Sequence, residues 1–387
     1  MTGVAAVSSS GTGAKAAGRS GSPYRIMVVD DSAVIRGLLT RALELDPDLA
    51  VVASVGDGLM ALNTVQRQDI EIVILDIEMP VMDGLTALPK IIAAKPGIQV
   101  LVASTLTQRG ATVSMKALAL GAADYVTKPG SSALTTAAEF KRELTDKVKA
   151  LAFARRQARR EAQPVPAVGV PREAAGPTVI PYFGRTGELR LRTQPIEKPE
   201  VVAIGSSTGG PQALFRLLKA LGAITQPLLI TQHMPPTFTT ILAEHIQRLT
   251  NLKAAEAVDG EPVKSGRIYI APGDFHMLVE AQANQKIIRL TKTPPENFCR
   301  PAVDPMLRSL SRAYGRKVLS VILTGMGQDG LKGGEVLVGA GGSLIAQDEK
   351  TSVVWGMPGA VAMAGLCTAV LPIDEIAPFL SRHVGRP

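Results

Sequence analysis

Cysteine is nearly missing from this chain. Only Cys299 and Cys367 occur among 387 residues, far apart and outside any C-x-x-C pair. That excludes a disulfide framework and a cysteine-based zinc site, and it fits a reducing cytoplasm. Long apolar runs are missing too. None approaches the roughly 18–20 residues that a membrane span requires, so no membrane insertion is expected. The first 22 residues, MTGVAAVSSSGTGAKAAGRSGS, lack an apolar h-region and do not read as a secretory signal. Rich in Ser, Gly and Ala, they are expected to be a flexible tail.

What is present is ordinary for a globular chain: 46% hydrophobic and 20% charged residues in 40.6 kDa. That length suggests about two or three domains. A net charge of +8 raises the question of a nucleic-acid partner. Much of the excess, however, is gathered in Lys141, Arg142, Lys147, Lys149, Arg155, Arg156, Arg159 and Arg160. This reads as a solvated basic helix end beside a linker, with no nucleic-acid partner.

Strand and helix patterns alternate from Tyr24 onward. RIMVV (25–29), LAVVASV (49–55), IEIVIL (70–75), IQVLVA (98–103) and DYVT (124–127) read as strands, with helical spacing between them. Near-continuous β-branched runs imply strands covered on both faces, hence a parallel sheet and a (βα)5 domain over 23–145. A helix over 132–160 runs into the basic stretch. Residues 146–198 read as that helix end and a Pro-rich linker. Alternation resumes at Glu200, with strands at 201–205, 227–232, 267–271, 318–324 and 343–347. HMLVEA and KIIRLT read as a β-hairpin. The second domain, 199–387, is therefore expected to be a doubly wound, mostly parallel α/β fold with a hairpin.

Open parallel sheets bind ligands at the carboxyl ends of their strands. In the first domain those ends carry Asp30 and Asp31, then Asp76, then Ser104, then Lys128. Asp at a strand end is commonly a cap or turn former. Five such residues at four strand ends are better explained as a site. Clustered carboxylates repel one another and suit Mg²⁺, which prefers oxygen ligands. A carboxylate there can attack a phosphoryl donor, while an ammonium and a hydroxyl hold the phosphoryl oxygens.

With VVDDS, LDIEMPVMDG, VAST and DYVTKP in order, residues 24–145 resemble a two-component response-regulator receiver domain. The resemblance implies that Asp76 is the phospho-acceptor. It implies that Asp30, Asp31 and Asp76 bind Mg²⁺ with the backbone carbonyl of Glu78. Ser104 and Lys128 would sense the phosphoryl group, and Tyr125 would be the aromatic switch residue.

In the second domain VVAIG runs into Ser206-Ser207-Thr208-Gly209-Gly210-Pro211. The glycines permit a tight turn into a helix N-terminus. GSSTGG departs from the dinucleotide fingerprint G-x-G-x-x-G, whereas Gly205 to Gly209 fit G-x-S-x-G, with Ser207 as nucleophile. Helix capping is the plainer alternative. Of four histidines, His233 follows a strand and would share the carboxyl edge with Ser207; His276, after a turn, stays possible. Asp329, in GMGQDG after another strand, completes an order Ser207, His233, Asp329. The Gly-rich loops 205–210 and 325–330 could offer oxyanion donors.

The segments IGSSTGGP, ITQHMPPTFT, YIAPGDFHM, RPAVDPM, VILTGMGQDG and VVWGMPGA resemble the chemotaxis protein-glutamate methylesterase/glutaminase family over about 199–375. Ala302 stands where many relatives carry Ser. By the resemblance Ser207 is nucleophile, His233 base and Asp329 orienting acid, with Thr208 and the Met326 backbone shaping the site and oxyanion hole. It implies hydrolysis of γ-glutamyl methyl esters on chemoreceptors and deamidation of receptor glutamines, activated when a histidine kinase phosphorylates the receiver. Mg²⁺ would serve the receiver, and no cofactor the esterase. A cytoplasmic monomer is expected. A DNA-binding regulator fails for want of a helix-turn-helix, and a non-catalytic scaffold leaves the Ser/His/Asp placement unexplained.

Overall fold

The computed structural model describes residues 22–128, 137–161, 189–193, 196–222, 224–250, 252–283 and 285–384. The expected tail and most of the Pro-rich linker lie outside them. The first half runs β1 (Tyr24–Val29), α1 (Ala33–Glu44), β2 (Leu49–Val55), α2 (Gly58–Arg67), β3 (Ile72–Asp76), α3 (Gly84–Ala94), β4 (Gln99–Ser104), α4 (Gln108–Ala119), β5 (Asp124–Thr127) and α5 (Ala137–Glu161). Its five strands form one parallel sheet in the order β2-β1-β3-β4-β5. Ser32, Asp57, Asp83 and Thr107 each cap a helix by accepting a backbone N–H from its first turn. The caps fix how each chain leaves its strand, so the strand-end side chains share one edge.

The basic end of α5 departs from the solvated stalk expected from composition. Phe140, Leu144, Val148, Leu151 and Ala152 are buried against the sheet and α1. Beyond them Arg156 clasps the Glu71 carboxylate (2.6 Å) and Arg155 lies 3.7 Å from it. Lys149 pairs with Asp46 and Asp48, and Lys147 with Asp124 and Glu143. Most of these cations meet acids far away in sequence, so a local charge run looks solvated when it is paired.

The second half runs β6 (Val201–Ser206), α6 (Gly210–Leu221), β7 (Leu228–Gln232), α7 (Phe238–Thr250), β8 (Lys253–Glu256), β9 (Arg267–Ile270), β10 (His276–Gln282), β11 (Gln285–Thr291), α8 (Val303–Tyr314), β12 (Val318–Ile322), α9 (Leu331–Gly339), β13 (Ser343–Gln347), α10 (Met357–Met363), β14 (Ala369–Leu371) and α11 (Ile373–His383). Seven strands form a parallel sheet, β14-β13-β12-β6-β7-β9-β8, and β10–β11 is the separate antiparallel ribbon. The short edge strands β8 and β14 escape the sequence reading. Neither KAAE nor AVL carries a pattern of its own, and each exists by pairing with a neighbour. No helix among the described residues is long and apolar enough to cross a membrane.

The chain leaves β6 toward β7 on one side and returns to β12 on the other. The topological switch point therefore lies between β6 and β12, and such sheets take their ligands in the crevice outside these carboxyl ends. The receiver lies against this half. Tyr125 stacks on Phe238 (centroids 4.5 Å, planes at 11°), and Gln212 donates to the Ala122 and Ala123 carbonyls. The buried apolar cluster around α4 continues without a break into the second half.

Candidate functional site

Sheet register assembles the site. Ser206 at the end of β6 pairs with Gln232 at the end of β7, and the His233 N–H donates to the Ser206 carbonyl (3.1 Å). The next residue on each strand, Ser207 and His233, thus emerges at the same edge. On the other side the Ser207 N–H donates to the Thr324 carbonyl just past β12 (3.1 Å), which brings the loop 325–330 alongside. Close approach here needs glycine: a Cβ on Gly325 would stand 2.9 Å from the Ser207 Cβ and 2.4 Å from the Met357 sulfur. Gly209, at φ 74°, turns the chain into α6.

The two neighbouring serines have different fates. Ser206 is fully buried and donates to Gln232 Oε1 (2.7 Å), while that amide's Nε2 donates to the Ser207 carbonyl (3.0 Å). Ser207 is half-buried, and its hydroxyl makes no hydrogen bond among the described residues. Of the pair, Ser207 keeps a free hydroxyl at the crevice.

His233 Nε2 bonds to Asp329 Oδ2 at 2.8 Å. The Asp329 carboxylate, 1% exposed, also accepts the N–H groups of Val303 (2.6 Å) and Asp304 (3.0 Å), the first turn of α8. Burial works to raise this carboxyl, but His233 and those helix-end donors outweigh it and hold it below the ordinary range. Asp304 shows the opposite balance: burial and the Asp329 charge push it up. Burial opposes a charged His233 ring, yet the Cys299 sulfur and Asp329 outweigh that and raise it to about 10.

Two residues at this site carry no sequence signal of their own. Asn297 Nδ2 donates to Asp329 Oδ1 (2.9 Å) and Asp304 Oδ2 (3.0 Å). Cys299 Sγ lies 3.3 Å from His233 Nδ1. Both come from the loop after β11, where only the following RPAVD hinted at a role. His276, the other candidate base, has both ring nitrogens engaged elsewhere: it is buried, accepts the Ala302 N–H on Nδ1 and faces the Pro294 carbonyl with Nε2. Met326 stands between Gly325 and Gly327, and its N–H has no partner among the described residues. Thr208 is buried beside the Asp124 carboxylate of the receiver without a well-formed hydrogen bond. Its side chain thus belongs to the domain contact as much as to the crevice.

In the first half, Asp30, Asp31 and Asp76 each offer an oxygen within 4.8 Å of the others. Lys128 Nζ reaches Asp30 and Asp76, each at 2.7 Å. Burial, with Asp30 adding to it, raises the Asp76 carboxyl despite Lys128. Burial works against the Lys128 charge, but the two carboxylates raise it overall. Ser104 Oγ turns to the Gly110 carbonyl (3.0 Å), and the Glu78 side chain pairs with Arg109 (2.9 Å). Tyr125, 3% exposed, faces Phe238 of the other half. Asp83, in the same loop, is the cap of α3.

Residues 202–380 match the family described as CheB methylesterase, and residues 26–139 the response regulator receiver domain. A protein-glutamate methylesterase/protein-glutamine glutaminase of Azospirillum brasilense is 60% identical, over 95% of this chain and 94% of its own. One from Rhodospirillum centenum is 59% identical, over 94% of this chain and 95% of its own. The crystal structure of the Thermotoga maritima CheB methylesterase catalytic domain is similar to 48% of this chain and covers 98% of its own, with 43% identity and a TM-score of 0.47.

Proposed function

Because the chain belongs to the CheB methylesterase family, we propose that it is a phosphorylation-activated serine hydrolase acting on chemoreceptors. It removes methyl groups from γ-glutamyl esters and deamidates receptor glutamines, and so supplies adaptation in chemosensory signalling. The observation that carries this reading is the convergence of Ser207, His233 and Asp329 at the carboxyl ends of β6, β7 and β12, with His233 bonded to Asp329.

Ser207 Oγ attacks the ester carbonyl, and its proton passes to His233 Nδ1. Asp329 holds Nε2–H and stabilises the imidazolium. The oxyanion is received by the Met326 N–H, with Thr208 shaping the wall behind it. Collapse expels methanol, which leaves with the proton from His233. Water then attacks the acyl-enzyme, again with His233 as base, giving the glutamate carboxylate and free Ser207. A glutamine amide takes the same course and releases ammonia.

Asp76 accepts the phosphoryl group from a histidine kinase. The carboxylates of Asp30, Asp31 and Asp76, close together and all oxygen donors, suit Mg²⁺, with the Glu78 carbonyl as a further ligand. When bound, the metal supplies the positive charge that lets an anionic donor approach Asp76. Ser104 swings from Gly110 to the phosphoryl oxygens, and Lys128 exchanges its Asp76 contact for them. Tyr125 then shifts against Phe238 and loosens the receiver from the crevice. We place the receiver at 23–145, the basic helix end and linker at 146–198, and the hydrolase at 199–387. We place it in the cytoplasm, and one chain carries all three candidate triad residues, so a monomer is sufficient for the reaction.

A serine-directed fluorophosphonate tests the site. The expected product is a single adduct on the peptide containing Ser207, absent from Ser207→Ala. An adduct elsewhere, or none with the receiver phosphorylated, would overturn the assignment.

A further inference from the structure

Three consecutive residues after β11 join the His233–Asp329 pair to α5 of the receiver. Asn297 donates to Asp329 and Asp304. Phe298, 80% exposed, has the Arg142 guanidinium of α5 over its ring, 4.3 Å from the centroid. Cys299 Sγ contacts His233 Nδ1 at 3.3 Å. Asn297 and Phe298 both hold positive φ, 52° and 63°, a region that residues with side chains rarely occupy and that is unusual for a bulky one. Such residues persist where their surroundings over-determine them, and they cluster at active sites and switch regions.

The contact with Cys299 matters because of which nitrogen it uses. Asp329 holds Nε2, so Nδ1 is the one nitrogen left to accept the Ser207 proton. Cys299 occupies that position. Whether the shared proton sits on sulfur or on nitrogen, the Nδ1 lone pair is unavailable, and the Ser207 hydroxyl has no partner among the described residues. Asp329 and His233 are paired, but the ring nitrogen left for Ser207 faces the wrong group.

We propose that Cys299 is a positioning residue that latches His233 away from Ser207, and that Phe298 couples this latch to the receiver. With the receiver docked, Arg142 on Phe298 holds the turn and keeps Cys299 on Nδ1. When the receiver leaves, the turn relaxes, Cys299 withdraws, and Ser207 takes its place. Resting inhibition then has two parts, a covered crevice and a base engaged by the wrong partner. The inference rests on the reading of Ser207 as nucleophile and His233 as base.

The test is methanol release by the full-length chain from methylated receptor membranes, with and without a small phosphodonor. Cys299→Ala is expected to raise the donor-free kcat about three- to tenfold, the scale of one ordinary hydrogen bond, with KM little changed. The donor-stimulated rate should stay within about twofold of wild type. Cys299→Ser, whose hydroxyl can still donate to Nδ1, should keep the wild-type ratio of stimulated to resting rate. Phe298→Ala and the exposed Arg142→Ala keep the thiol but break the coupling, and should raise the donor-free rate as Cys299→Ala does. A donor-free rate unchanged in Cys299→Ala and Arg142→Ala, or lowered together with the stimulated rate, overturns the latch. Ser207→Ala separates the two readings. If it is inactive while Cys299→Ala behaves as wild type, only the latch fails. If it is active while Cys299→Ala is dead, the thiol is the nucleophile and both readings fail.

Discussion

Asp329→Asn keeps the shape of a buried side chain and removes its charge. Asp329 Oδ1 accepts from Asn297 Nδ2 and from the N–H groups of Asp304 and Gly330; Oδ2 accepts from Val303 N–H and His233 Nε2. An amide has one acceptor oxygen, so its NH2 must point at donors. The less costly choice leaves the oxygen toward the three donors at Oδ1. The NH2 then faces the Val303 N–H, which loses its acceptor at about 1–3 kcal/mol. It also faces Nε2, which escapes the clash only by becoming an acceptor. The ring proton moves to Nδ1, the nitrogen that receives the Ser207 proton in the proposed mechanism. The expected result is a fall of about ten-thousandfold in kcat, as for the same wrong-tautomer change in a serine protease triad. Urea unfolding should show a loss of about 1–3 kcal/mol. Methanol release within tenfold of wild type would refute both the tautomer and the role given to Asp329.

Other expectations come from single contacts. Gln212→Ala removes the hydrogen bonds to the Ala122 and Ala123 carbonyls, and should raise the resting esterase rate about two- to tenfold; an unchanged rate would mean that contact does not hold the receiver down. Asp76→Asn should abolish stimulation by a small phosphodonor and leave the resting rate in place; surviving stimulation would move the phospho-acceptor elsewhere. Glu71→Gln should cost the receiver about 1–3 kcal/mol in urea at neutral pH by unclasping Arg156. Burial works to raise the Glu71 carboxyl, but Arg156 and the Arg25 N–H outweigh it and hold it below its ordinary 4.5. Its contribution is therefore complete above that value and lost as pH falls through the lower folded one, so the variant's deficit should vanish in acid.

The strand ends were legible because a parallel sheet sends every carboxyl end to one edge. The strand ends and the loops that leave them therefore mark out Asp30, Asp76 and Lys128, or Ser207, His233 and Asp329, without knowledge of a single contact. Cys299 and Asn297 were not legible. They arrive from a loop whose positive-φ turn has no periodic signature, and their partners Asp329 and His233 lie 32 and 66 residues away. The charges of α5 misled for a related reason. Glu71 meets Arg156 across 85 residues, and Asp46 meets Lys149 across 103, so local composition shows a cation and hides its acid. Thr208 stands between the two cases: the motif draws attention to it, and only the packed domains show that Asp124 is its neighbour.

The most direct measurement is methanol release from methylated receptor membranes by wild type, Ser207→Ala and Asp76→Asn, each with Mg²⁺ and with or without a small phosphodonor. Wild-type release should rise with the donor, Asp76→Asn should stay at the resting rate, and Ser207→Ala should release nothing. Release by Ser207→Ala, or none by wild type once Asp76 is phosphorylated, would contradict a serine esterase governed by its receiver.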